Sequence, residues 1–239
     1  MVARIVGTGS AVPENIVTND DLSRIVDTND EWISTRTGIR ERRIAKEENT
    51  TILACRAAKK ALENAEMDAA DVELILVATC TPDSFFPNTA CRVQKEIGAW
   101  NAVGFDLSAA CSGFVFALST VQAYIKSGVY KNALIIGAET LSKLLNWEDR
   151  GTCVLFGDGA GAVVVKAHET GFMDMVQWSD GRGDSVLTCG ARQMKNVLVP
   201  GAQEADYVAM EGQPVFKFAV KKVPECITQV LEKTGTEKE

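Results

Sequence analysis

One cysteine in this chain stands where a thiol does chemistry. Cys111 lies in Leu107-Ser108-Ala109-Ala110-Cys111-Ser112-Gly113-Phe114, between an apolar run at 103–107 that reads as a strand and a run at 112–126 that reads as a helix. A residue at that junction projects from the end of a sheet into the first turn of a helix. There the unpaired N–H groups and the positive end of the helix dipole favour thiolate over thiol, so a nucleophile forms without a basic side chain beside it. The other cysteines (Cys55, Cys80, Cys91, Cys153, Cys189 and Cys226) form no CxxC pair and no zinc-like spacing with histidine, and read as reduced, packed thiols. The single histidine, His168, falls in Lys166-Ala167-His168-Glu169-Thr170-Gly171, which reads as a surface turn and not as part of a site. Gly157-Asp158-Gly159-Ala160-Gly161 is spelled like a nucleotide loop, but it lacks the third-glycine spacing and precedes a strand-like run. It reads as a tight turn feeding the sheet.

The elements that must position Cys111 show in the apolar pattern. Residues 4–6, 73–78, 133–137 and 162–165 are short, nearly continuous apolar runs, as in strands of a sheet covered by helices on both faces. Between them, 50–66 puts Leu53, Ala54, Ala57, Ala61, Leu62 and Ala65 on one helical face, with Arg56, Lys59, Lys60 and Glu63 opposite. Residues 89–97 predict a shorter helix closed by Gly98. The helix after Cys111 is apolar almost all round through Leu118, which predicts a first half buried at the centre of the molecule. Alternation of this kind means an α/β layered fold. From 181 to 214 the pattern weakens, with one short apolar piece at 197–199. A helix then restarts at Pro214, a favoured first-turn residue, and carries Phe216, Phe218, Ala219, Val223, Ile227 and Leu231 into a polar tail.

The bulk properties exclude several classes. A chain of 239 residues with 46% hydrophobic and 24% charged content is long enough for a real core. A net charge of −7, with no basic run longer than two residues, argues against a nucleic-acid surface. There is no signal-peptide pattern, and no apolar run approaches the ~18 residues of a membrane span. The expectation is a cytoplasmic protein.

Six segments together resemble the β-ketoacyl-acyl carrier protein synthase III family. They are Ala109-Ala110-Cys111-Ser112-Gly113-Phe114, the stretch 27–42 with Trp32, Arg36 and Gly38, Asp149-Arg150-Gly151-Thr152, 155–162 beginning Leu155-Phe156-Gly157, Ser179-Asp180-Gly181, and 210–217 with Gly212 and Phe216. The likeness is collinear from Arg4 to about Leu231. It implies a thiolase-like layered α/β fold. Residues 1–180 would be a complete first βαβα half carrying the nucleophile, and 181–239 a connecting segment plus the first helix of an incomplete second half.

The resemblance implies two-step chemistry. The cysteine takes an acyl group from acyl-CoA, and the thioester condenses with malonyl-acyl carrier protein as carbon dioxide leaves. Cys111 matches the nucleophile, and a thiolate both attacks a thioester and leaves readily afterwards. Thr28, Trp32 and Arg36 match coenzyme A-recognition positions, and Arg150 is similar. An indole stacks on adenine, and guanidinium groups grip phosphate. Phe156 matches a residue lining the acyl pocket, Gly212 and Phe216 border the pantetheine tunnel, and Phe86 crosses a homodimer interface into the partner's acyl pocket. No metal and no cofactor are implied, acyl-CoA being a substrate, and no nucleic acid or membrane partner.

The family's catalytic set also holds a histidine and an asparagine from its second half, and a glycine-rich segment that supplies an oxyanion-hole N–H. None of these matches here. Decarboxylation builds enolate charge, and each lost preorganised donor typically costs about 10²–10³ in rate. The expectation is therefore a fragment covering the N-terminal two-thirds of such an enzyme, impaired in condensation, whose central apolar helix exposes a patch. The alternative is a non-catalytic half-protein that binds acyl-CoA or pairs with a separate chain.

Overall fold

The apolar runs become strands of one sheet in the computed structural model of the chain, which describes residues 1–171, 174–190, 198, 201 and 206–237. The apolar piece at 197–199 lies outside the described residues except for Leu198, which is exposed. The strands are β1 (Val2–Ala11), β2 (Ile16–Thr18), β3 (Glu41–Arg43), β4 (Leu74–Ala78), β5 (Val103–Leu107), β6 (Asn132–Thr140), β7 (Asp158–His168), β8 (Leu187–Thr188) and β9 (Ala209–Met210). The α-helices are α1 (Asn19–Leu22), α2 (Asp30–Thr37), α3 (Thr50–Asn64), α4 (Thr89–Ile97), α5 (Gly113–Lys126), α6 (Arg150–Cys153) and α7 (Gly212–Thr234).

The chain packs as two units. The first comprises Met1–Ile16, Arg43–Thr140 and Gly157–Met175. Its sheet runs β1-β7-β6-β4-β5, with β4 parallel to both β5 and β6, and β7 antiparallel to its neighbours. Period-two alternation sorts the apolar side chains cleanly. Ile75, Val77, Leu134 and Ile136 meet Leu53, Ala57 and Ala61 of α3 and Val93 of α4. Leu74, Leu76, Ala133 and Ile135 meet Ala117, Val121 and Ile125 of α5 on the other face.

Two carboxylates from strand ends and loops hold the helix starts. Asp83 accepts from the backbone N–H groups of Thr50 (3.0 Å) and Thr51 (2.9 Å) at the head of α3. Asp106 accepts from those of Thr89 and Ala90, each at 2.8 Å, at the head of α4. Gly98 ends α4 in the left-handed region at φ +76°. β1 extends well past the expected 4–6 because Gly7 and Gly9 let α3 lie directly on its backbone. A Cβ on Gly9 would stand 2.3 Å from the Ala57 carbonyl oxygen.

Two expectations change in this unit. Residues 158–161 are not a turn but the start of β7, paired with β6 through Thr140↔Asp158 and Gly137↔Gly161. The predicted burial of the first half of α5 is met on one face only. Ala117 is buried against the sheet, while Val115 is 50% exposed.

The second unit comprises Val17–Arg42, Leu141–Phe156 and Val176–Glu239. Its buried centre is small: Leu22, Ile33, Cys153 and Val154, with Trp32, Trp147 and Leu155 packed against them. Arg42 is buried here, donating to Asn19 Oδ1 (2.7 Å), the Val17 carbonyl (3.1 Å) and the Val154 carbonyl (3.2 Å). α7 begins two residues before the expected Pro214, keeps Pro224 inside it, and has no buried residue. Packing interleaves the two units along the chain, whereas the halves implied by the resemblance, 1–180 and 181–239, follow one another.

Candidate active site

Cys111 sits where the junction of strand and helix was expected to put it, on a tighter turn than a plain strand-to-helix passage. β5 ends at Leu107, and Ala110–Ser112 form one turn of 3₁₀-helix before α5 begins at Gly113. Ala110 holds φ +43°, in the left-handed region that costs an L-residue roughly 1–2 kcal/mol. The turn leaves Cys111 exposed as a free thiol. α5 is 14 residues long, has no side-chain cap on its first N–H groups and no acidic residue in its first turn. The Ser112 and Gly113 N–H groups donate to the Ala109 and Ala110 carbonyls, so what α5 offers to negative charge at this turn is the positive end of its dipole.

β4 fixes where this turn lies. Ala78 is in register with Leu107, the Thr79 N–H donates to the Leu107 carbonyl (3.2 Å), and a Cβ on Gly113 would stand 3.1 Å from Ala78 Cβ. The carboxyl ends of the parallel strands β4, β5 and β6 therefore gather around the nucleophile, the usual location of a site in an α/β sheet.

Two residues in this cluster were not singled out from the sequence as site residues. Glu139, near the end of β6, accepts from the Cys80 N–H (2.8 Å), the Cys80 thiol (3.3 Å), Thr79 Oγ1 (3.4 Å) and Thr81 Oγ1. Desolvation around the Cys80 sulfur, then the Glu139 carboxylate, push that thiol up to about 12. Cys80 is exposed, and the Cys111 sulfur adds a smaller upward push to its thiol after desolvation and Glu139. Nothing in its own segment marks either residue in the sequence.

In the second unit the structure brings Trp32, Arg36 and Arg150 together. The guanidinium carbons of Arg36 and Arg150 lie 4.6 and 4.5 Å from the centre of the Trp32 ring. Arg36 Nη1 donates to the Trp32 carbonyl (3.2 Å) and Arg150 Nη1 to the Asp27 carbonyl (2.9 Å). Asn29 caps α2 by accepting from the Trp32 N–H at 2.8 Å, which places the indole in the first helical turn. Among the described residues neither guanidinium meets a carboxylate, so two like charges face one ring without neutralisation. Such an arrangement favours an anion with two or more charges. Thr28 Oγ1 is buried with no partner among the described residues.

The remaining expected residues are placed separately. Phe156 is half-buried in the loop before β7. Gly212 opens α7, and Phe216 is 66% exposed on it. Phe86 is 87% exposed beside Phe85, preceding a cis Pro87. His168 ends β7, exposed, with Thr170 N–H donating to its Nδ1 (3.0 Å) and Arg4 Nη1 3.2 Å from its Nε2, so it is engaged at the far end of that strand. Among the described residues no three His, Cys, Asp or Glu side chains gather as a metal would need, and no helix is long and apolar enough to cross a membrane.

Comparisons with known proteins accord with this arrangement. A family model described as 3-oxoacyl-[acyl-carrier-protein] synthase III matches residues 105–181, the segment from β5 through Cys111 and β7. A β-ketoacyl-[acyl-carrier-protein] synthase III of Clostridium novyi is 53% identical over 233 residues, which are 97% of this chain and 72% of that protein. The crystal structure of 3-oxoacyl-[acyl-carrier-protein] synthase III from Aquifex aeolicus superposes with a TM-score of 0.88 at 47% identity, covering 98% of this chain and 73% of that one. The priming β-ketosynthase of the R1128 polyketide pathway superposes at 0.90 with 35% identity, covering 98% and 70%.

Proposed function

Since the chain belongs to the β-ketoacyl-acyl carrier protein synthase III family, we propose that Cys111 is its acyl-accepting nucleophile and that Trp32, Arg36 and Arg150 grip the coenzyme A of the incoming acyl thioester. Membership makes the chain a condensing acyltransferase of thiolase-like α/β fold. The expected impairment, and the reading as a fragment, find no support in these comparisons.

The Cys111 thiolate attacks the acyl-CoA carbonyl. A tetrahedral oxyanion forms and collapses, the coenzyme A thiolate leaves, and the acyl group stays on Sγ. The thioester then accepts the malonyl carbon of malonyl-acyl carrier protein as carbon dioxide departs, giving 3-oxoacyl-acyl carrier protein. The unneutralised arginines suit the phosphates of coenzyme A, and the orphaned Thr28 hydroxyl suits a further polar contact with it. Because both guanidinium groups already lie against the indole, an adenine would meet arginine as well as tryptophan. Phe156 is assigned to the acyl pocket, and Gly212 and Phe216 to the pantetheine tunnel. Phe86 is assigned to a homodimer contact, which its exposure favours. We place the enzyme in the cytoplasm.

The observation that carries the proposal is Cys111 on its strained turn before an uncapped 14-residue helix. Intact mass after incubation with acetyl-CoA tests it. The native chain should gain one acetyl group and Cys111→Ala none. An adduct that survives the substitution would remove Cys111 from this role.

A further inference from the structure

We propose that Cys80 is a resolving thiol for Cys111, and that peroxide converts the pair into a reversible disulfide with Glu139 as the base. This rests on the reading of Cys111 as a reactive thiolate, and it goes beyond acyl transfer. β4 and β5 are parallel and in register at Ala78↔Leu107, and Gly113 sits against Ala78. Cys80, two residues past Ala78, and Cys111, two residues before Gly113, thus emerge at the same end of the sheet. Both are exposed free thiols. The Cys80 thiol points its hydrogen at Glu139 Oε1, 3.3 Å away, while the Cys80 N–H to the same oxygen fixes the residue at 2.8 Å.

The chemistry balances. The Cys111 thiolate attacks hydrogen peroxide; an S–O bond forms, the O–O bond breaks, hydroxide leaves, and sulfur is oxidised by two electrons to sulfenic acid. Cys80 sulfur then attacks the Cys111 sulfur. The S–S bond forms, the S–O bond breaks, and the Cys80 proton passes to Glu139 and on to the departing hydroxide as water. A protonated resting state, favoured by desolvation of the sulfur and then by the carboxylate, keeps Cys80 from competing for the acyl group. The same carboxylate accepts its proton only when an electrophilic sulfur is at hand. The disulfide shields Cys111 from irreversible oxidation, and a dithiol restores it.

The test treats the full chain with about three equivalents of hydrogen peroxide, enough to carry an unprotected thiol to sulfinic acid, blocks free thiols with iodoacetamide, and maps peptides without reductant. A Cys80–Cys111 cross-linked peptide, released by dithiothreitol with recovery of acetyl uptake, is expected. In Cys80→Ser, Cys111 should advance to sulfinic acid and stay inactive after dithiothreitol. Glu139→Gln should form the disulfide slower by about 10², while dimedone still traps the sulfenic acid. Sulfinic acid on Cys111 of the native chain, a cross-link to another cysteine, or full recovery of Cys80→Ser would each overturn the proposal. Acetyl labelling of the untreated sample separates the two readings. An adduct without a disulfide defeats this inference alone, and a disulfide without an adduct defeats the acyl-transfer role alone.

Discussion

In the first unit the nucleophile owes its place to backbone. Its sheet register sets Ala78 beside Leu107, a left-handed Ala110 turns the chain, and the uncapped end of α5 supplies the local field. In the second unit the expected coenzyme A site owes its place to side chains, two guanidinium groups on one indole above a buried centre of four residues. Stability and chemistry should therefore separate differently in the two. Altering the frame of the first unit should unfold it. Altering the two guanidinium groups on the Trp32 ring should weaken binding and leave the fold intact.

The largest effect should come from Gly9→Val. A Cβ there meets the Ala57 carbonyl at 2.3 Å and the Ala61 nitrogen at 2.5 Å, so α3 must lift from β1. The cost should be about 3 kcal/mol, read as a lower urea midpoint. An unchanged midpoint would mean that the close seat of α3 on β1 contributes nothing. Arg42→Leu is the second unit's counterpart. It strands Asn19 Oδ1 and two carbonyls away from their donor, which should cost about 2 kcal/mol. A loss as large as that of Gly9→Val would erase the contrast between the units.

These two sites also mark what the sequence disclosed. The bounds of β5 and α4 were legible because each is a local matter, an apolar run in one case and a helix closed by Gly98 in the other. β1 was read too short because Gly7, Gly9 and Ser10 dilute its hydropathy, and the reason for those glycines, the approach of α3, is a tertiary fact. The Gly157-to-Gly161 stretch was misread for the same reason, since only pairing with β6 makes it a strand. Cys111 was legible from the junction around it. Glu139 and Cys80 were not, because nothing in their own segments marks them. Register across β4, β5 and β6 brings Cys80, beyond Ala78, and Glu139, beyond Gly137, to the end of the sheet where Cys111 follows Leu107.

Binding effects should be smaller than these. Arg150→Ala should raise the KM for acyl-CoA about tenfold, near 1.4 kcal/mol, with kcat nearly unchanged, because the phosphates it grips do not change during acyl transfer. Raising ionic strength should shrink the difference between variant and native chain. A fall in kcat with KM constant would instead tie Arg150 to the reacting atoms, and the division of labour between the units would fail.

The smallest expected effect is the most pointed, because it opposes stability to chemistry within one residue. Ala110 holds φ +43° with a Cβ that disfavours it, so Ala110→Gly removes that strain. The unfolded chain gains freedom in the same substitution, and the two terms oppose each other. The net should be a stabilisation of at most about 1 kcal/mol, read as a slightly higher midpoint. The rate of acetyl transfer to Cys111 should nevertheless fall, since a glycine lets the turn sample conformations in which the thiol moves away from the start of α5. A more stable and slower variant would establish that backbone geometry positions the nucleophile. A variant equal in rate would locate the positioning elsewhere, in the packing of Gly113 against Ala78, and the contrast between the units would then rest on packing alone.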